Sequence, residues 1–152
     1  MNVSVFPVAA TDIDSGFDHV ISQFRSLESE GDAGEWCDLG EDAGVVEELL
    51  IQAGGGEIAR LAVAGGSILG DDNFGTVCSV LLVDEVARVS GFFAEVDLDG
   101  VMGRAPEVLA GILRGGIPVG YLDDLAESVA ELRQIFGLAQ REGLCVAHIY
   151  EG

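Results

Sequence analysis

The sequence predicts an α+β domain in which a helical majority packs on a small sheet that includes the N- and C-terminal strands. Three observations carry this. Apolar, β-branched runs stand at both ends of the chain, helical periodicity fills most of the interval, and the helical segments come in succession instead of alternating with strands as a βαβ winding requires. The length of 152 residues fits one domain, 1–152, and an apolar content of 49% with mean hydropathy +0.38 lies outside the disordered regime.

Residues 3–9 read as the first strand, with Pro7, which lacks a ladder donor, predicting an edge position or a bulge. Thr11 or Ser15 can cap the first helix, whose seam is Ile13, Phe17, Val20, Ile21, Phe24 and Leu27. Residues 29–36 mix small, turn-forming and acidic side chains and predict a mobile connection anchored by Trp36. A helix over 41–53 follows from the stripe Val45, Val46, Leu49 and Leu50 and stops at Gly54, Gly55 and Gly56; a shorter one covers 57–62. Residues 65–75 show no periodicity and read as an irregular loop. The valine-rich run from Thr76 passes into a helix with the stripe Val83, Val86, Val89, Phe92, Phe93 and Val96; a close backbone contact would explain Gly91 inside it. Asp97 caps a short turn, and a helix then starts with Pro106 in its first turn and stops at Gly115 and Gly116. The longest helix begins near Gly120, carries Asp123, Asp124 and Glu127 at its positive end, and is terminated by Gly143. Residues 144–150 read as the last strand, pairing with the first.

Charge bounds the partners. Seven basic residues, all arginine, face 27 acidic ones, for a net charge of −20. Nucleic acid and anionic lipid both need clustered positive charge, so no nucleic-acid or membrane partner is expected; a charged macromolecular partner should be basic. Cys37, Cys78 and Cys145 are an odd number of widely spaced thiols, which excludes a closed disulfide framework and predicts a reducing, cytoplasmic setting. The N-terminal residues lack the basic and apolar regions of a signal peptide, and no apolar run approaches the ~20 residues that cross a bilayer.

Motifs that carry chemistry are sparse. Glycines in 65–75 suggest a phosphate cradle, but Asp71 and Asp72 would repel the anion, so a cation or a basic side chain fits better. Glu95, Asp97 and Asp99 precede Gly100 as acids precede the glycine of a calcium loop, yet Pro106 stands where a bidentate Glu is required. Cys145 and His148 lie three apart on a strand and point to opposite faces; Cys78 reads as a buried hydrophobe and His19 as surface. No catalytic residue, metal ligand or cofactor is assigned.

The C-terminal two-thirds is similar to the YfbM-like family, a bacterial group of uncharacterised function. The resemblance rests on LAVAGGSILGDD (61–72), LLVDEVARVSGFFAEVDLDGVM (81–102) and ELRQIFGLAQREGLCVAHIY (131–150), with Trp36, Asp38 and Leu39 resembling the family's tryptophan-containing helix start. The chain departs from the family at Gly40, where many members have histidine, and at residues 115–121, which replace an Ile-Tyr-Pro segment. The resemblance implies an α+β fold with paired terminal strands and no catalytic residues. The function expected is that of a non-enzymatic, acidic protein-binding module restraining a basic partner. The alternative is a small-ligand binder or enzyme whose pocket is lined by Trp36, Gly65, Gly66, Asp71, Asp72 and Tyr121.

Overall fold

The computed structural model describes residues 1–31 and 34–152; residues 32 and 33, inside the connection expected over 29–36, lie outside the described residues. Strand β1 (Asn2–Val8) pairs antiparallel with β5 (Cys145–Glu151) from Asn2 opposite Glu151 to Val8 opposite Cys145, so the two terminal strands meet as expected. The other flank of β5 takes β4 (Thr76–Leu81), and β2 (Cys37–Gly40) and β3 (Ser67–Asp71) close the antiparallel order β2-β1-β5-β4-β3.

Alternation along the strands sorts the core into two halves. Val146 of β5, Val3 and Val5 of β1, Cys37 and Leu39 of β2 and Leu81 of β4 face one side. That side is covered by α3 (Ala43–Gln52), α4 (Glu57–Ala64), α5 (Val83–Glu95), α6 (Leu98–Ala110) and α7 (Tyr121–Glu142). Cys145, Ala147 and Ile149, with Phe6, Val8, Cys78 and Val80, face the other side, where α2 (Phe17–Glu30) lays down Val20 and Phe24. Trp36 anchors the connection as expected, its ring edge-on to Phe24 at 5.9 Å.

The longest helix matches its prediction. Leu125, Val129, Leu132, Ile135, Phe136 and Ala139 are buried at helical spacing, Asp123 and Asp124 lie in the first turn of α7, and Gly143 (φ 68°) ends it while the Leu144 N–H donates to the Ala139 carbonyl at 2.8 Å. No helix among the described residues is long and apolar enough to cross a membrane.

Several expectations are corrected. The first helix is broken: α1 (Ala10–Asp14) ends before Gly16, whose φ of 100° no helix accommodates, and neither Thr11 nor Ser15 caps a helix N-terminus, the N-cap positions being Ala9 and Gly16 while Ser15 closes the C-terminal end of α1. Residues 65–75 are not an irregular loop, since 67–71 form β3, and the helix start implied at Trp36, Asp38 and Leu39 is instead the entry to strand β2, drawn into extended backbone by pairing with Val3 to Val5. Pro7 lies in a strand paired on both flanks, but β2 reaches only as far as Val5, so the proline stands beyond its end. The helix at 98–110 is continuous, placing Pro106 in its interior; Asp97 sits at its N-cap position without a side-chain capping bond. The helix foreseen over 57–62 runs on to Ala64.

Gly91 has no close neighbour: a Cβ there would meet nothing within 4 Å, so the contact expected to explain it does not exist. Gly91→Ala is therefore expected to stabilise the protein by about 0.5–1 kcal/mol, through lower unfolded-state entropy and better helix propensity. Thermal denaturation should show a rise of roughly 1–4 °C; a fall would mean an unseen contact at that face of α5.

Candidate functional site

The polar centre of the molecule lies where α4 ends against the sheet. A helix leaves its last carbonyls without partners, and here the sheet supplies side chains to them. His148 Nε2 lies 2.8 Å from the Ala62 carbonyl, the Ser79 hydroxyl donates to the Ala64 carbonyl at 3.1 Å, and the Tyr150 hydroxyl donates to the same Ala64 oxygen. Strand register produces the grouping, since Ser79 is opposite His148 and Val77 opposite Tyr150. Gly65 (φ 80°) closes over it, and no other residue fits: a Cβ would stand 2.1 Å from Ser79 Oγ and 2.9 Å from His148 Nδ1.

His148 is fully buried, and desolvation pushes its pKa down to about 4 against the opposing pull of its bond to the Ala62 carbonyl. The ring is neutral at pH 7, so Nε2–H donates to Ala62 and Nδ1 carries the lone pair, which has no hydrogen-bond partner among the described residues. Burial also raises the Tyr150 hydroxyl, with the Glu47 carboxylate adding to the rise and a bond with Ser79 opposing it. Beside Tyr150 an open groove of about 350 Å³ is lined by Val3, Glu41, Glu47, Val63 and Ala64. A second groove, of about 480 Å³, runs between Phe6 to Ala9 of the β1 end and Gln23, Leu27 and Glu30 of α2.

The thiols are held away from chemistry. All three are buried; desolvation raises each, Cys78 to about 12, and the charges of Glu131 and Asp38 raise Cys37 further. Among the described residues no three His, Cys, Asp or Glu side chains converge as metal ligands. Of the 27 acidic residues, Asp32 lies outside the described residues, and none of the other 26 is buried.

No protein-family model matches the sequence, and no curated protein matches it. The architecture does match a solved one: the crystal structure of YfbM, a protein of unknown function from Escherichia coli, aligns with a TM-score of 0.60 over 99% of each chain. The fold is YfbM-like. At 12% identity the likeness is one of fold alone.

The YfbM-like fold distributes the residues expected to line a pocket. Trp36 packs on the α2 side of the sheet, whereas Tyr121 packs on the opposite side at the start of α7, where its hydroxyl donates to Asp42 Oδ1 at 2.9 Å. That bond, Asp42's charge and above all burial raise the phenol to about 12. Gly65 and Gly66 lie at the end of α4. Asp71 and Asp72 lie at the hairpin between β3 and β4, where Asp71 Oδ1 accepts from the Asn73 N–H at 2.9 Å and Asp72 Oδ1 accepts from Phe74 and Thr76 at 2.8 and 3.0 Å. The two backbone bonds hold the Asp72 carboxyl below its usual range. Trp36 and Tyr121 are thus separated by the sheet. Cys145 and His148 do face opposite ways, Cys78 is buried, and His19 is exposed and bonded to Asp12 at 2.9 Å. What sequence reasoning missed is the His148, Ser79 and Tyr150 grouping. Its signal was a histidine and a tyrosine two apart in an apolar strand.

The depressed His148 pKa has a definite sign. The unfolded state binds the proton below its ordinary value of about 6.5 while the folded state refuses it until about 4. Stability from this group is therefore full above 6.5 and lost as pH falls toward 4, by about 3 kcal/mol over the window. Relief of repulsion among surface carboxylates opposes the loss, so the readout is the difference from His148→Gln, whose amide can still donate to Ala62. Denaturant melts at pH 7, 5.5 and 4.5 should show the wild type losing more stability than the variant on acidification; parallel curves would place the imidazole in water.

Proposed function

We propose that the protein acts by binding a basic protein partner on its acidic surface and not by catalysis. The supporting observation is the distribution of charge: no described carboxylate is buried, and Arg25, bonded to Glu28 at 2.7 Å and Glu151 at 3.0 Å, is the one arginine with an ion pair among the described residues. The acidity is uncompensated where solvent and partners meet it. Glu131 shows the crowding directly, since partial burial together with Glu127 and Asp38 raises its carboxyl. Such a field steers and holds cationic surfaces at ranges set by a Debye length of about 8 Å in physiological salt. The buried thiols and the neutral, enclosed imidazole support the non-catalytic half of the reading.

A second reading, a small cationic ligand, is favoured by the groove beside Tyr150, where Glu41 and Glu47 flank apolar walls. It would take an amine with a short hydrocarbon body.

Capture of cellular proteins on the immobilised chain at about 0.05 and 0.5 M salt tests the leading reading. Basic proteins should be retained at low salt and released at high salt. Capture that ignores salt, or no capture of basic proteins, would count against recruitment by charge.

A further inference from the structure

The outer edge of the sheet carries more information than the charge total. β3 (Ser67–Asp71) is the last strand in the order; it pairs with β4 on one flank, and its other flank has no partner strand among the described residues. Soluble proteins guard such edges with lysine, proline, inward-pointing charge or bulges. Here the strand reads Ser-Ile-Leu-Gly-Asp, with neither lysine nor proline, and only the irregularity between Ile68 and Gly70 interrupts its ladder. Apolar side chains remain in solvent along it. Ile68 is 66% exposed in the strand and Phe74 is 92% exposed at the turn beyond it, while Leu82 is also exposed at the end of β4. The turn that projects Phe74 is fixed, because Asp72 holds the Phe74 and Thr76 amides and Asn73 takes a φ of 63°.

The charge around this edge is of one sign. Between Arg60 and Arg88 the chain has no basic residue, and the interval contains Asp71 and Asp72 at the hairpin and Asp84 and Glu85 in the first turn of α5. Glu85 reaches the start of β3, its Oε2 standing 3.2 Å from where a Cβ on Gly66 would lie. On the other side, Gly70 packs on Phe17, whose chain neighbour Asp18 is exposed. A second copy of this chain, itself at −20, is repelled from such an edge.

We infer that the open edge of β3 adds a strand from the partner, and that this strand alternates Lys or Arg with apolar residues. The inference rests on the reading above and gives it a location. Backbone bonds to the free flank supply the affinity, Ile68 and Phe74 supply apolar contacts, and the flanking carboxylates select the basic side chains. Five residues of strand span about 16 Å, enough to order a similar length of partner.

Two-dimensional NMR titration with an alternating Lys-Val peptide tests it. Perturbations should concentrate on the amides of 67–71. Ile68→Asn, which leaves net charge and the buried core unchanged, should weaken binding roughly three- to fivefold, and a peptide N-methylated at every second residue should lose the β3 perturbations although its charge is intact. Perturbations spread over other acidic faces, with Ile68→Asn binding as tightly as wild type, would overturn the edge site while leaving acidic recognition standing. Absence of peptide binding alongside retained capture of basic proteins would do the same, and failure of both would remove both.

Discussion

β5 is hydrogen-bonded to β1 along one flank and to β4 along the other, and both its faces are covered, so that every residue from Cys145 to Ile149 is buried. The strict alternation of its side chains assigns Val146 and His148 to the five-helix side and Cys145, Ala147 and Ile149 to the α2 side. A slip of one residue would carry the imidazole into the aromatic cluster of Phe6, Phe24 and Trp36 and leave the end of α4 without its partner. The two ends of the chain must find each other for this strand to be enclosed, which makes the central pairing the most non-local contact in the molecule while the helices between form from local periodicity.

The polar and charged groups divide cleanly about that strand. Inside, His148, Ser79 and Tyr150 answer the open carbonyls of α4, so a helix terminus that would otherwise be an unsatisfied buried end becomes a joint between layers. The imidazole is kept neutral and cut off from solvent, which suits a structural joint better than proton transfer. Outside, carboxylates cover surfaces that the helices and hairpins leave in water. The described carboxylates thus stand at the surface, and the exterior is strongly negative.

Much of this was legible because the signals were local. The stripe from Leu125 to Ala139 with Gly120 and Gly143 at its ends defined α7, and the β-branched runs defined β1 and β5. What could not be read depended on partners distant in sequence. Ser67 to Asp71 has too few apolar residues to announce a strand and becomes one only because β4 lies beside it, and Cys37 to Gly40 is a strand only because β1 offers Val3 to Val5. Gly16 broke a continuous apolar seam without altering its period, so the periodicity extended across a φ of 100° that no pattern records. Pro106 suggested a helix start because proline favours the first turn, but packing of Val101, Ala105 and Leu109 extended the helix back to Leu98. The pocket residues failed to gather for the same reason, since sequence gives no indication that Trp36 and Tyr121 stand on opposite sides of a sheet.

Native-state hydrogen exchange, resolved residue by residue, addresses the central claim of a sheet enclosed at β5 and open at β3. The amides of Val146 to Ile149 should exchange only through global unfolding, and those of β3 not bonded to β4 should exchange by local opening or directly from the native state. Exchange at β5 as fast as at β3, or protection of both β3 flanks equal to that of β5, would contradict it.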